Sequence, residues 1–214
     1  MRSFLSFLAM MFSLSATAQS PADVVRNEGY SAALHAQQVN EQFYRRSLPS
    51  VYGDSNIANL DFRGHLEALN FGIKGDTSFG LAHRMGTYVT LKSASAVFLL
   101  AGVNDLGFGA QFDKEIPVNY VAALRKIPID RPVRIIGILP VLEAKFPGYN
   151  ARSRAINLRL EALCRNRSGC AYIRPRFEGQ DGDARKELYR DDGIHLNERG
   201  QLVLINAIKS ALNN

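Results

Sequence analysis

The chain has no tryptophan, two cysteines and four histidines among its 214 residues. Two thiols cannot build a tetrahedral zinc site on their own, and Cys164 and Cys170 lie in CRNRSGC, not in the CxxC spacing of a redox centre. His35, His65, His83 and His195 are scattered, with no HExxH or HxH, so a metal-dependent hydrolase lacks its ligands. There is no G-x-x-x-x-G-K-[ST], and Gly107-Phe108-Gly109 has no glycine three residues on. Nucleoside triphosphate and dinucleotide binding are therefore unsupported. No apolar run reaches the roughly 18 to 20 residues of a membrane-spanning helix, and no repeat of about 20 to 50 residues appears, which removes membrane-spanning and solenoid architectures.

What is present describes an ordinary globular chain of one domain: 46% hydrophobic residues, with 12 Phe and 8 Tyr to build a core. The first eighteen residues have a basic start at Arg2, an apolar run from Phe4 to Leu14, and Ala16-Thr17-Ala18 before Gln19. This is the layout of a cleavable secretory signal, so a secreted or periplasmic protein is expected. No stable membrane insertion is expected. The expected organisation is a signal over 1–18, a helical extension over 19–47 and the main domain over 48–214. The formal net charge is +6. The basic residues are dispersed, and the densest group, Arg152, Arg154, Arg159, Arg165 and Arg167, reads as the solvated face of one helix. Together with export, this argues against a nucleic-acid partner. An oxidising compartment makes a local Cys164 to Cys170 disulfide, closing a helix-to-strand turn, the leading reading of the two thiols.

Residues 20 to 45 read as one or two short helices. Apolar or β-branched runs follow at Leu48 to Tyr52, Leu66 to Ile73, Ala96 to Gly102, Val133 to Val141 and Ala171 to Ile173. Helix-like stretches lie at 78–92, 115–127, 151–165 and 197–212. Short continuous apolar strands alternating with amphipathic helices indicate βαβ crossovers. The expected fold is α/β, a three-layer α/β/α sandwich with a mostly parallel sheet of about five strands. Ligands in such sheets sit at the carboxyl ends of the strands.

Four small polar clusters follow those ends: Gly53-Asp54-Ser55-Asn56, then Gly72-Ile73-Lys74-Gly75-Asp76-Thr77, then Gly102-Val103-Asn104-Asp105, and, before the last helix, Asp191-Asp192-Gly193-Ile194-His195-Leu196. Singly, each has an ordinary explanation as a turn or a helix cap. Jointly they bring a hydroxyl, a glycine amide, a carboxamide and an Asp/His pair to one sheet edge, which is the inventory for acyl transfer. Ser55 needs a base to become nucleophilic, and His195 can take its proton near neutral pH. Asp192, three residues before His195, can reach the other ring nitrogen, with Asp191 as a less favoured alternative. The backbone amides of Ser55 and Gly75 and the Asn104 carboxamide can supply three donors to a developing oxyanion.

The ordered blocks GDS, GxxGDT, GxND and DxxH resemble the SGNH (GDSL-type) hydrolase family, over residues 48 to 212. The resemblance implies a flavodoxin-like α/β/α fold and a serine esterase. Its catalytic residues would be Ser55, Asp192 and His195, its oxyanion donors Ser55, Gly75 and Asn104, and it would need no metal or organic cofactor. Two departures stand out: Asn56-Ile57-Ala58 replaces the more usual residues after the nucleophile, and only 20 residues separate Ser55 from Gly75, so the first crossover helix must be short. An α/β-hydrolase would show Gly-x-Ser-x-Gly, and Ser55 lacks the second glycine.

The expected substrate is a small-molecule or glycan ester carrying a short acyl group, acetyl above all, because the loops at 105–113 and 179–192 look short and polar. Phe108, Phe112, Phe146 and Tyr149 could instead line a slot for a longer chain, which keeps a lysophospholipase or acyl-thioesterase as runner-up. A polysaccharide acyltransferase and a non-catalytic polysaccharide-export accessory protein on the same fold are the remaining alternatives. Sequence carries no signal for oligomeric state.

Overall fold

The computed structural model describes residues 20–44, 47–179 and 181–213. The expected signal segment, 1–18, lies outside the described residues. Five strands, β1 (Ser50–Gly53), β2 (Leu69–Gly72), β3 (Val97–Leu100), β4 (Val133–Ile136) and β5 (Cys170–Ile173), pair in the order β2-β1-β3-β4-β5. Every pairing is parallel. This is the 2-1-3-4-5 arrangement of flavodoxin-like sheets, whose order reverses beside β1. The mostly parallel expectation becomes an all-parallel sheet.

The helices are α1 (Glu28–Glu41), α2 (Ser55–Ala58), α3 (Ser78–Met85), α4 (Val103–Leu106), α5 (Glu115–Leu124), α6 (Tyr149–Arg165) and α7 (Glu198–Ser210). The central strands are buried on both faces: all four residues of β3, Val97 to Leu100, are apolar and buried, and all four of β1 are buried, Ser50 among them. One face packs Leu99, Ile135 and Phe71 beneath Leu81, Ile116 and Leu160. The other packs Val51, Phe98 and Ile136 beneath Leu204 and Ile208 of α7. Each such fully buried side chain contributes about 1.5–3 kcal/mol.

Several expectations change in detail. The helix expected over 78–92 stops at Met85, with Gly86 at its carboxyl end, and the chain resumes as a 3-10 turn over Val89–Lys92. The strand expected from Val133 to Val141 is paired only to Ile136, and residues 137–142 run on as a loop containing Pro140, which has no N–H to donate to a ladder. Of the five arginines expected on one solvated face, Arg154, Arg159 and Arg165 are exposed on α6 and two depart from the expectation. Arg152 makes a two-point ion pair with Asp113 at 2.6 and 2.8 Å, and Arg167 lies beyond the end of α6. The first crossover carries only the single turn α2, as its length requires. Cys164 and Cys170 are joined by a disulfide across the α6-to-β5 turn.

The N-terminal segment is a 3-10 turn (Pro21–Arg26) followed by α1. Few α1 side chains are buried; polar contacts tie it down. The Tyr30 hydroxyl donates to the Gly80 carbonyl and Gln37 Nε2 to the Gly72 carbonyl, both at 2.9 Å. The Glu41 carboxylate accepts from the Val89 and Thr90 amides and from the Thr90 hydroxyl.

Candidate active site

Ser55 opens α2 directly after β1. Asp54 is the cap: its carboxylate accepts the Asn56 amide at 2.9 Å. The turn is tight because Gly53 has no side chain, and a Cβ there would come within 2.2 Å of the Leu100 carbonyl oxygen on β3. A Ser in the first turn of a helix therefore ends up at the carboxyl edge of the sheet.

His195 arrives from the loop before α7. Its Nε2 lies 2.9 Å from Ser55 Oγ, and its Nδ1 lies 2.9 Å from Asp192 Oδ2. The other Asp192 oxygen accepts the Ile194 and His195 amides at 2.9 and 2.8 Å. Burial alone would raise the Asp192 carboxyl, but the hydrogen bonds from the His195 ring and from these two amides outweigh it and hold the group at about 2. An ionised carboxylate can only accept, so Nδ1 carries the proton and Nε2 is left to accept from the Ser55 hydroxyl. Asp191 is exposed, and its backbone carbonyl accepts from Lys145 Nζ, so Asp192 and not Asp191 meets the ring.

Gly75 adopts φ +75°, the left-handed region open to glycine, and nothing lies within 4 Å of where its Cβ would stand. The amides of Ser55 and Gly75 donate to no described residue. Asn104 Nδ2 donates to the Asp76 carbonyl at 2.8 Å, which orients the carboxamide and leaves its second N–H uncommitted. The structure thus brings Ser55, Gly75, Asn104, Asp192 and His195 to one edge. Among the described residues no three His, Cys, Asp or Glu side chains are grouped so as to hold a metal ion.

Several supporting residues were not anticipated. Arg84, fully buried, donates from Nε to Asp76 at 2.8 Å, from Nη1 to the Phe71 carbonyl and the Tyr88 hydroxyl at 2.8 Å, and from Nη2 to the Gly53 carbonyl at 3.0 Å. One guanidinium thus fastens the ends of β1 and β2 to the residue after Gly75. Burial works against its charge, but Asp76 beside it more than compensates, so its pKa is raised. Asp105 accepts the Ser78 amide and hydroxyl and holds the far side of the same loop. Asn56, noted only as a departure from the family pattern, bridges to the catalytic-edge loop: its side chain donates to the Ile194 carbonyl and accepts the Leu196 amide. A signal for Arg84 did exist, since it sits two helical turns past Asp76 between apolar Leu81 and Met85. A charge on that face needs a buried partner.

Asp54 is the second titratable group beside Ser55. Burial pushes it up to about 7; the Asn56 amide opposes the rise, and Asp76 and Asp105 add to it. The four aromatic residues proposed for an acyl slot are divided: Phe108 packs on the N-terminal cluster with Val24 and Ile73, while Phe146 packs on Tyr149 at 5.4 Å between ring centres.

Comparison with known proteins agrees with this geometry. No curated protein sequence matches the chain. A GDSL-like lipase from Bacteroides thetaiotaomicron is similar in structure, with 19% identity over 84% of this chain and 97% of that one and a TM-score of 0.69. A candidate platelet activating factor from Streptococcus pneumonia reaches a TM-score of 0.77 at 20% identity over 86% and 93% of the two chains. A carbohydrate esterase of family 3 from Talaromyces cellulolyticus reaches 0.60 at 16% identity over 78% and 96%. At these identities the likeness speaks for the fold. The family model for the GDSL-like lipases and acylhydrolases matches residues 15–203, and the chain belongs to that family of ester hydrolases.

Proposed function

We propose that the chain is an exported serine esterase that removes short acyl groups, acetyl above all, from a polysaccharide or other polar carrier. The observation that carries the reading is the relay from Ser55 through His195 to Asp192, at 2.9 Å in each step, beside two unengaged amides. In this reading Ser55 Oγ attacks the ester carbonyl as its proton passes to His195 Nε2, and Asp192 stabilises the imidazolium. The amides of Ser55 and Gly75 and the free N–H of Asn104 stabilise the oxyanion. The imidazolium then protonates the departing alcohol, leaving an acyl-Ser55, and the same imidazole deprotonates the water that releases the acid.

Support for a short acyl group comes from where apolar surface is exposed. Among the described residues the exposed large apolar side chains are Val39, Phe43, Val89, Val118, Ile129, Leu158 and Leu202, and none belongs to the short segments that carry Ser55, Gly75, Asn104 and His195. A long chain needs a continuous apolar groove at the nucleophile. The disulfide and the A-x-A segment before Gln19 both support export.

An acyl-length series of aryl esters from acetyl to palmitoyl tests the reading. We expect kcat/KM to be highest at acetyl or butyryl. A maximum at eight carbons or more would overturn it and establish the lysophospholipase or thioesterase alternative. Product analysis with and without a glycan acceptor separates hydrolysis from acyl transfer.

A further inference from the structure

At the carboxyl ends of β4 and β5 lies a cavity of about 180 Å³ that the relay does not use. Its floor is the buried segment Gly137 to Pro140, and α6 forms one wall with Arg154, Asn157 and Leu158. Tyr172, Arg174 and Glu178 close the other side. We propose that this cavity is a subsite for one sugar ring of the ester's carrier, an inference that rests on the esterase reading above.

Placement is the first argument. The cavity opens on the same sheet edge as Ser55, and β4 is two strands from β1, about 10 Å at normal strand spacing. The loop that floors it continues into the supports of the His195 loop. The Pro140 carbonyl accepts the Tyr189 hydroxyl at 2.6 Å, and the Leu142 amide donates to the Gly193 carbonyl at 2.9 Å. A carrier seated in the cavity therefore lies beside the relay, within reach of an ester on the same or the next ring.

Chemistry is the second. Among the described residues the buried Tyr172 hydroxyl has no partner in hydrogen-bond geometry, with the Arg174 guanidinium as its charged neighbour. It lies over Gly137, where a Cβ would come within 2.2 Å of it, so the glycine makes room for the hydroxyl. An unpaired buried hydroxyl is costly, and a ligand hydroxyl supplies the missing partner. The ion pairs on the walls are long: Arg154, which also donates to the Gly182 carbonyl at 3.0 Å, is 3.9 Å from Glu178, and Arg174 is 3.4 Å from Glu161. Guanidinium and carboxylate groups around an apolar floor suit the hydroxyls and C–H faces of a pyranose, while the Asn157 carboxamide holds the floor in place by accepting the Ile138 amide at 2.8 Å and donating to its carbonyl at 3.0 Å. An acyl chain would leave the polar walls unsatisfied, and a phosphate would face Glu178. The volume falls below the roughly 300–1,000 Å³ of pockets for larger ligands, which limits the occupant to about one ring.

The test uses isotope-labelled Ser55→Ala protein titrated with methyl pyranosides and a short neutral oligosaccharide. We expect the amide resonances of Gly137, Tyr172 and Arg174 to shift on saturation. Tyr172→Phe should weaken binding by about three- to tenfold, the loss of one hydrogen bond. Leu158→Trp, made at a helix position 62% exposed and therefore tolerant of a larger side chain, should fill the mouth and abolish the shifts. In enzymes retaining Ser55, both changes should lower the ratio of kcat/KM on an O-acetylated oligosaccharide to kcat/KM on aryl acetate. Shifts that map elsewhere, no shifts at all, or an unchanged ratio in both variants would overturn the subsite. If pyranosides bind in the cavity while the wild type cleaves no ester, the subsite stands and the esterase reading fails.

Discussion

Around Ser55 the sequence places two aspartates with opposite electrostatics. Asp192 is held at about 2 by the donors around it, so it stays ionised through the mildly acidic and neutral range. kcat/KM should therefore fall on the acid side as the base that accepts the Ser55 proton becomes protonated, with no inflection from Asp192. A stopped-flow profile from pH 4 to 9 checks this, and a profile flat between roughly 5 and 8 would exclude His195 as the base. Ser55→Ala should lower turnover of an aryl acetate by at least about 10⁴-fold, and Asp192→Asn by about 10³- to 10⁴-fold with the fold unchanged by circular dichroism. Asp54 runs the other way. Its folded pKa is raised to about 7 by burial, so the folded state favours its neutral form, and its contribution to stability declines as pH rises from about 3.8 to 7. Asp54→Asn keeps a capping side chain and removes this dependence. Urea melts at pH 5 and pH 8 should show the variant gaining on the wild type at the higher pH.

Element by element, the site depends on loops being tied to strand ends by buried polar side chains. Arg84 on α3 joins β1, β2 and the Gly75 loop, and α1 closes over that junction through Gln37, whose Oε1 accepts the Tyr88 hydroxyl at 2.5 Å. Arg84→Met leaves the buried Asp76 without its cationic partner and the Phe71 and Gly53 carbonyls without their donor, and should cost about 3–5 kcal/mol of stability, read as a shift in the urea midpoint. Replacing both partners, Arg84→Met with Asp76→Leu, should recover part of that loss, because no unpaired charge then remains. The single-variant loss would be absent only if the pair were dispensable.

For the molecule as a whole, stability comes from two apolar layers on an all-parallel sheet, with one covalent link at its β5 edge. The Cys164–Cys170 bridge closes a short loop, worth about 2–3 kcal/mol on the chain-entropy account. Reduction, or Cys164→Ala with Cys170→Ala, should lower Tm by roughly 4 to 12 °C for a chain of this size, measured by calorimetry with and without reductant. Because the bridge lies at the α6-to-β5 turn, esterase activity at 25 °C should persist in the reduced protein. Two free thiols in the denatured, unreduced protein would refute the bridge.

Sequence alone determined the alternation of apolar runs and amphipathic helices, and with it the parallel sheet, because residues buried on both strand faces must be continuously apolar. It also determined the order of the polar clusters, since each begins where an apolar run ends. Local signals end there. Where β4 ceases to pair, and that Arg152 turns to an ion pair with Asp113 while Arg154, Arg159 and Arg165 stay exposed on the helix, depend on neighbours distant in the chain. The same holds for Arg84 and Asn56. Arg84 reaches the Phe71 and Gly53 carbonyls as well as the Asp76 and Tyr88 side chains, and Asn56 reaches backbone groups 138 and 140 positions away, all brought within reach by the assembled sheet. Residue types and spacing could nominate Ser55, Asp192 and His195 because the chemistry demands those groups. The scaffold that aligns them uses backbone carbonyls and amides, which every residue carries and no sequence pattern distinguishes, so only the tertiary structure could decide it.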